Sequence, residues 1–504
     1  MTISEPFPLP VTSNTDLDQE THKWRRLSTA SATGATGTPE TDEIAARIVT
    51  GLPGNFVWGA ATSAYQIEGA VTEDGRGLSI WDTFARTPGK TRNGESGAVA
   101  VDHYHRYRED IAMMAGLGLA AYRFSVAWPR VMPTGSGAVN RAGLAFYDRL
   151  VDELLAAGLD PWLTLYHWDL PQPLQDLGGW ASRETCYRFA YYADQVATAL
   201  GDRVKHWSTL NEPWCSAFEG HLTGRHAPGV QSAHAAVRSV HHLLLGHALG
   251  VEALRARGAG DVGITLNLIP AESPEDSPAA QDAVRLVDGQ TIRLWLDPLL
   301  RGCYPEDVVA DFAKVGAELP VEPGDLLRIA APVDWIGVNY YAPHIVVPGP
   351  DPDPAPMPFV AGDDLTRVRS TDDVTALGWP IRPRSYAALL RRLDADYPGT
   401  SWYIHENGAA FLDEPAADGE VPDPGRLRYV AQHLDVVRDV VGDGVDVRGY
   451  FVWSLLDNFE WSEGYKMRFG VVHVDFDTLV RTPKSSALWY SRLIRDHRAV
   501  NGTA

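Results

Sequence analysis

The sequence predicts an α/β fold, a single (β/α)8 TIM barrel with loop insertions at the C-terminal face of its strands. Three observations lead there. Short apolar and aromatic runs recur at residues 56–62, 121–128, 161–167, 206–210, 262–268, 335–340, 402–405 and 447–453. Between most of them lie stretches of helical periodicity, such as 104–117, 142–157, 183–200 and 232–255. Strand-like runs alternating with helices in this way describe parallel β/α units, and eight units close a barrel. Finally, two of the runs deliver a carboxylate to a chain-breaking residue: Glu212 stands before Pro213, and Glu406 before Asn407-Gly408. A Glu ending a buried strand is costly to desolvate unless it is paired or used. In such a barrel the active site lies where the strands end.

Composition narrows the function. With 504 residues, 45% hydrophobic and 22% charged, the chain has ordinary globular composition and length enough for a large core. A formal charge of −21 repels nucleic acid and anionic membrane, and favours a neutral small-molecule substrate. Cys186, Cys215 and Cys303 form neither a CxxC pair nor a disulfide framework, which fits a reducing cytoplasm. No metal-ligand cluster stands out, and no cofactor is expected. Cys215, three residues beyond Glu212, either lines the site or is a small buried hydrophobe. Sixteen tryptophans is a high count, and Trp128, Trp168, Trp453 and Trp461 fall at strand ends, where rings line a site mouth or serve plain core packing.

In chain order, residues 1–50 are rich in Ser, Thr, Pro and Gly and read as a disordered extension. Arg25-Arg26 is not followed by the apolar run of an export signal. Residues 51–498 are the barrel and 499–504 a tail. No stretch reaches the apolar length of a membrane span. Residues 345–384, rich in Pro, Asp and Gly without periodicity, read as a loop over the barrel mouth. His241-His242 and His247 lie on an apolar helix, where metal binding is the weaker reading, and Asp102-His103-Tyr104-His105 reads as structural. Asn501-Gly502-Thr503 is a sequon by pattern alone.

Asn211-Glu212-Pro213 and Tyr403-Ile404-His405-Glu406-Asn407-Gly408 resemble the two signatures of family 1 glycoside hydrolases, and the likeness runs from about residue 56 to about 494. The resemblance implies a retaining exo-β-glycosidase, foremost a β-glucosidase acting on cellobiose-like or aryl β-glucosides. Glu212 would be the acid/base and Glu406 the nucleophile, about 5–5.5 Å apart. The local sequences agree: Trp207, Pro213 and Trp214 give Glu212 the apolar setting that keeps a proton on a carboxyl. The matching family positions place Arg123 and Tyr341 beside Glu406. Gln66 and Glu460 match residues gripping the outer sugar hydroxyls, His167 and Trp168 the 3-hydroxyl, and Asn211 the 2-hydroxyl. Trp453 would floor the pocket beside Trp461, Asn339 would support the nucleophile side, and Trp379 would be the aglycone platform or a brace for the loop.

A carboxylate at Glu460 would repel a phosphate dianion, so an unphosphorylated sugar is expected even with Lys466 and Arg468 close by. Glu212 rather than Gln implies O-glycosides. Two positions depart from the family pattern: His405 stands where Thr is usual, and Ser385 where Gly is usual. Strand alternation points His405 away from the sugar. The same site would also serve a β-galactosidase, a β-fucosidase or a transglycosylase, and an inactive barrel would serve a carbohydrate-binding protein. The sequence leaves oligomeric state open, a homo-oligomer included.

Overall fold

Each of the eight runs is a strand because it is apolar enough to be covered on both faces, as a parallel sheet requires. The computed structural model describes Thr21, Trp24 and residues 37–353 and 355–502. Its strands are β1 (Val57–Ala61), β2 (Ala121–Ser125), β3 (Asp160–Tyr166), β4 (His206–Asn211), β5 (Asp261–Asn267), β6 (Trp335–Tyr340), β7 (Trp402–Asn407) and β8 (Val447–Trp453). Each pairs in parallel with its chain neighbours, and β1 pairs with β8, so the sheet closes. The interior is a packed layer of rings rather than a pore. Trp162 lies 5.6 Å from Trp335 and 5.1 Å from Phe451. Glycines make room for them. A Cβ on Gly263 would strike the Trp335 ring, and one on Gly337 would come within 2.7 Å of His405 Nδ1.

Outside the sheet lie helices α1 (Pro39–Gly51), α2 (His103–Leu117), α3 (Arg141–Ala156), α4 (Glu184–Leu200), α5 (Ala233–Ala256), α6 (Pro383–Asp396), α7 (Pro424–Gly442) and α8 (Ser485–Asn501). The four helices anticipated from periodicity are all present. The histidines of α5 are satisfied by protein: His241 by Tyr304 and Asp325, His242 by the Trp180 carbonyl, and His247 by Thr209. His103 contacts Asp110, which Arg481 also reaches, in a buried structural cluster. Among the described residues no helix is long and apolar enough to cross a membrane.

Two expectations are corrected. Residues 39–50 are not a disordered extension but belong to α1. Thr38 and Thr41 close a capping box, Pro39 opens the helix, and Ile44, Ile48 and Val49 are buried. The apolar residues there are few, but at i, i+4 spacing they share one face, which packs against α7 and α8. Trp24 is buried as well. The rest of the expected extension, Arg25-Arg26 included, lies outside the described residues, as does Thr503 of the sequon. The second correction concerns residues 345–384. The strand His344–Pro348 pairs with Ala271–Glu272 on one side and Leu365–Arg367 on the other, forming a small sheet. The Pro, Asp and Gly residues between its strands hid runs too short to show a period.

A buried ion network ties the last β/α connection down. Lys484 pairs with Asp413 and Asp457, Arg426 with Asp413 and Asp423, and Arg468 with Asp457. Three cations face three carboxylates, so the cluster is neutral as a whole. Asp457 begins the loop that carries Glu460 and Trp461.

Candidate active site

Both carboxylate strands lose their regular register just before the carboxylate. On β7, Ile404 pairs with Val338 but Glu406 already pairs with the next residue, Asn339, leaving His405 as an extra residue. The β7–β8 pairing shifts over the same segment. On β4 the register with β5 shifts between Ser208 and Asn211. Bulges of this kind re-aim side chains next to active sites. Glu212 then takes φ +45°, Trp168 φ +78° and Trp461 φ +52°. Non-glycine residues rarely adopt the left-handed region, and such strain gathers at functional sites.

The two carboxylates share one hydrogen-bonded frame. Arg123, on β2, donates through Nη1 to Glu406 Oε1 and through Nη2 to Asn211 Oδ1, both at 2.6 Å. Tyr341 donates its hydroxyl to Glu406 Oε2 at 2.7 Å. Asn339 Nδ2 donates to Glu212 Oε1 at 2.7 Å and to Asn211 Oδ1 at 3.1 Å. Asn339 thus reaches Glu212 as well as the nucleophile side that the sequence suggests for it. The bulge sets β6 and β7 so that Asn339 stands between the two carboxyls, and it also lowers the proton affinity of Glu406. Cys215 donates its thiol to Glu212 Oε2 at 3.1 Å. Its spacing of three residues from Glu212 was the one sequence signal of this contact.

Glu212 and Glu406 are 6% and 3% exposed, so ionising either is costly. Burial first, then the charge of Glu406, pushes Glu212 up to about 8. Burial also raises Glu406, but Arg123, Tyr341 and Asn339 oppose that rise. Of the pair, Glu212 therefore holds the proton and Glu406 the charge. This is a division of labour set by environment, since the two residues are chemically identical.

Around this frame sit the remaining candidates. Asn211 Nδ2 donates to His167 Nε2 at 3.2 Å, so His167 carries its proton on Nδ1, which has no protein partner among the described residues. Burial and the Arg123 charge keep His167 neutral. Gln66 Nε2 donates to Asn458 Oδ1, the Phe459 carbonyl and Glu460 Oε2 at 3.0, 3.0 and 3.3 Å. Burial, then the charges of Glu406 and Glu212, raise Glu460 well above the ordinary carboxyl range. The Trp453 and Trp461 rings lie nearly parallel to His167, at 5.8 and 6.0 Å. Trp168 packs 4.5 Å from Trp461 and donates Nε1 to the Asn211 carbonyl. Trp379, 37% exposed, stands at the rim 5.6 Å from Tyr341. Trp128 does not join them. It opens a short helix after β2 and stacks on Tyr192 in the core. A surface cleft of about 780 Å³ lies elsewhere, between Asp372–Arg384 of the lid and Arg428–Gln432 of α7, and holds none of these residues.

Comparison with known proteins identifies the family. The pattern of glycosyl hydrolase family 1 matches residues 49–499. The chain belongs to this family. As a family 1 member it is 52% identical to thermostable β-glucosidase B of Thermobispora bispora, over 90% of this chain and 92% of that protein. It is 45% identical to β-glucosidase A of Thermotoga maritima, over 88% and 98%. The crystal structure of a psychrophilic β-glucosidase from Micrococcus antarcticus superposes with a TM-score of 0.85 at 49% identity, covering 90% of this chain and 99% of that one. The barrel fold of these family 1 structures is the fold found here.

Two departures from the family 1 pattern have physical counterparts. Ser385 donates its hydroxyl to Glu272, which also receives Arg382, so it braces the lid. His405 shares the inward face with Tyr403, as strand alternation requires, and it is Glu406 whose direction the extra residue changes. His405 faces the barrel interior beneath Glu406, packed against Trp335 and Phe451. Of the two nearby cations, Arg468 is committed to Asp457 and the Val474 carbonyl, and Lys466 is exposed.

Proposed function

We propose that this glycosidase is a retaining exo-β-glycosidase that releases terminal non-reducing β-D-glucosyl residues. One observation carries the reading. Glu406 is held ionised between Arg123 and Tyr341 while Glu212, sharing the same frame, is kept protonated. Glu406 attacks the anomeric carbon as Glu212 gives its proton to the leaving oxygen, forming a covalent glycosyl-enzyme. Covalent capture neutralises Glu406 and removes the charge that raised Glu212. Glu212 then ionises more readily and takes a proton from water, which displaces Glu406. Asn211, His167, Gln66 and Glu460 grip the sugar hydroxyls, Trp453 and Trp461 take its apolar faces, and Trp379 receives the aglycone.

The preference for glucose is supported by the names of the relatives, which are β-glucosidases at 44–52% identity. A bifunctional β-D-glucosidase/β-D-fucosidase of Bifidobacterium breve, 44% identical, makes fucosides the second substrate to try. Two buried free thiols and one exposed one suit a reducing cytoplasm.

The test is nitrophenol release from 4-nitrophenyl β-glucoside by wild type and by Glu406→Gly, with and without azide. Activity lost in the variant and returned by azide as the α-glycosyl azide is the expected result. A wild type inert on the glucoside, galactoside and fucoside alike would overturn the reading.

A further inference from the structure

His405 has no part in the chemistry above. Its ring lies under Glu406, 4.7 Å from Trp335, 5.3 Å from Phe451 and 5.5 Å from Trp162. Within this aromatic layer its side chain has one polar partner among the described residues, Thr265 Oγ1, 2.8 Å from Nδ1. Thr265 Oγ1 lies 2.9 Å from Ser208 Oγ, and Ser208 donates to the Leu210 carbonyl at 3.2 Å. A hydroxyl has one proton to give. Ser208 gives its proton to Leu210, so Thr265 gives its own to Ser208 and accepts from His405 Nδ1–H. A directed chain therefore crosses the barrel interior from β7 through β5 to β4. Burial, reinforced by Arg123, keeps His405 neutral, and its bare Nε2 faces the rings without a partner among the described residues.

The chain begins and ends at the two bulges. His405 is the unpaired residue of the β7 bulge, and the Leu210 carbonyl lies within the β4 register shift. Thr265 holds the β4 side by its backbone too, since the Glu212 N–H donates to its carbonyl at 2.9 Å. Arg123 Nη1, already on Glu406, reaches the His405 carbonyl at 3.4 Å. A bulge leaves its extra residue outside the backbone ladder. Contacts among side chains then add to the backbone pairs, Glu406 with Asn339 and Glu212 with Thr265, in setting how far apart the two carboxylate-bearing residues stand.

We propose that Ser208, Thr265 and His405 form a positioning crossbar that fixes the separation of the Glu212 and Glu406 carboxyls. This rests on the roles proposed above for those two residues. Double displacement uses carboxyls about 5–5.5 Å apart, and a misplacement of about 1 Å can cost about 100-fold in rate. The crossbar touches no reacting atom and acts through the two glutamates.

The test compares Thr265→Val, Thr265→Ser and His405→Phe, with rates expressed per active site titrated by a 2-deoxy-2-fluoroglucoside. Valine keeps the shape of threonine and phenylalanine keeps a ring, while both remove the chain. The expected result for each is a kcat about 10- to 100-fold lower with KM within about twofold. The basic limb of the kcat/KM profile should also move by about half a pH unit or more, because the spacing sets how strongly Glu406 repels a charge on Glu212. Thr265→Ser, which keeps the hydroxyl, should restore both. An infrared titration of the coupled carboxyls needs no substrate, and should displace the upper pKa in the valine variant but not in the serine one. If the wild type hydrolyses no glycoside, the proposed function fails, and the infrared result still decides the crossbar. Wild-type kcat per site in Thr265→Val overturns it, with or without a lower Tm. So does Thr265→Ser failing as badly as valine.

Discussion

Replacing Tyr341 by Phe removes one oxygen from the site and little else. The ring stays packed near Trp379 and Phe469, at 5.6 and 5.8 Å, so no cavity opens. What is lost is the donor 2.7 Å from Glu406 Oε2. A hydrogen bond to an ionised acceptor contributes about 1.5–3 kcal/mol. At about 1.36 kcal/mol per pKa unit, its loss raises Glu406 by about 1–2 units. The direction is fixed by the site: burial already raises Glu406, and Tyr341 is among the groups that hold it down. Since the nucleophile must be ionised, the acid limb of kcat/KM moves up by that amount. The basic limb is set by Glu212 near 8, so the active window narrows from below. The kcat/KM at the optimum should fall about 10-fold or more. Initial rates on 4-nitrophenyl β-glucoside from pH 4 to 9 measure both quantities. An acid limb that stays put in Tyr341→Phe would refute the claim that this hydroxyl sustains the charge on Glu406.

Other consequences concern stability. In the folded protein Glu212 is raised to about 8 from an ordinary 4.5, so above pH 4.5 the unfolded chain sheds a proton that the native state retains. The wild type therefore loses stability between those two values as pH rises, by about 1.4 kcal/mol per unit, whereas Glu212→Gln does not. Urea unfolding at pH 5 and pH 7 should find the variant ahead by a margin that widens by a few kcal/mol, and parallel behaviour would contradict the assigned protonation. In the buried network, Lys484→Met leaves Asp413 and Asp457 short of a cation and should cost about 3–5 kcal/mol in the same assay. A loss below about 1 kcal/mol would mean the network tolerates an uncompensated charge.

The barrel was legible because each strand must be apolar on both faces, which leaves a continuous run in the sequence. All eight runs became strands. The catalytic candidates were legible through Glu212 and Glu406, each ending such a run before a turn residue. Helix α1 was missed because its few apolar residues form one face rather than a run, and a face has meaning only against α7 and α8. Likewise, the strand His344–Pro348 becomes a strand through partners it meets only in the folded chain.

The sequence by itself determined which residues would meet, because strand order in a parallel barrel follows chain order and all strand ends lie on one rim. Only the tertiary structure decided what each does there. A one-residue bulge reverses the direction of every side chain beyond it, and the sequence carries no mark of where register slips. That slip re-aimed Glu406, and Asn339 beside it reaches Glu212. It also follows from position alone that two identical carboxyls divide their roles. Arg123 and Tyr341 reach one of them, while burial and its neighbour's charge leave the proton on the other.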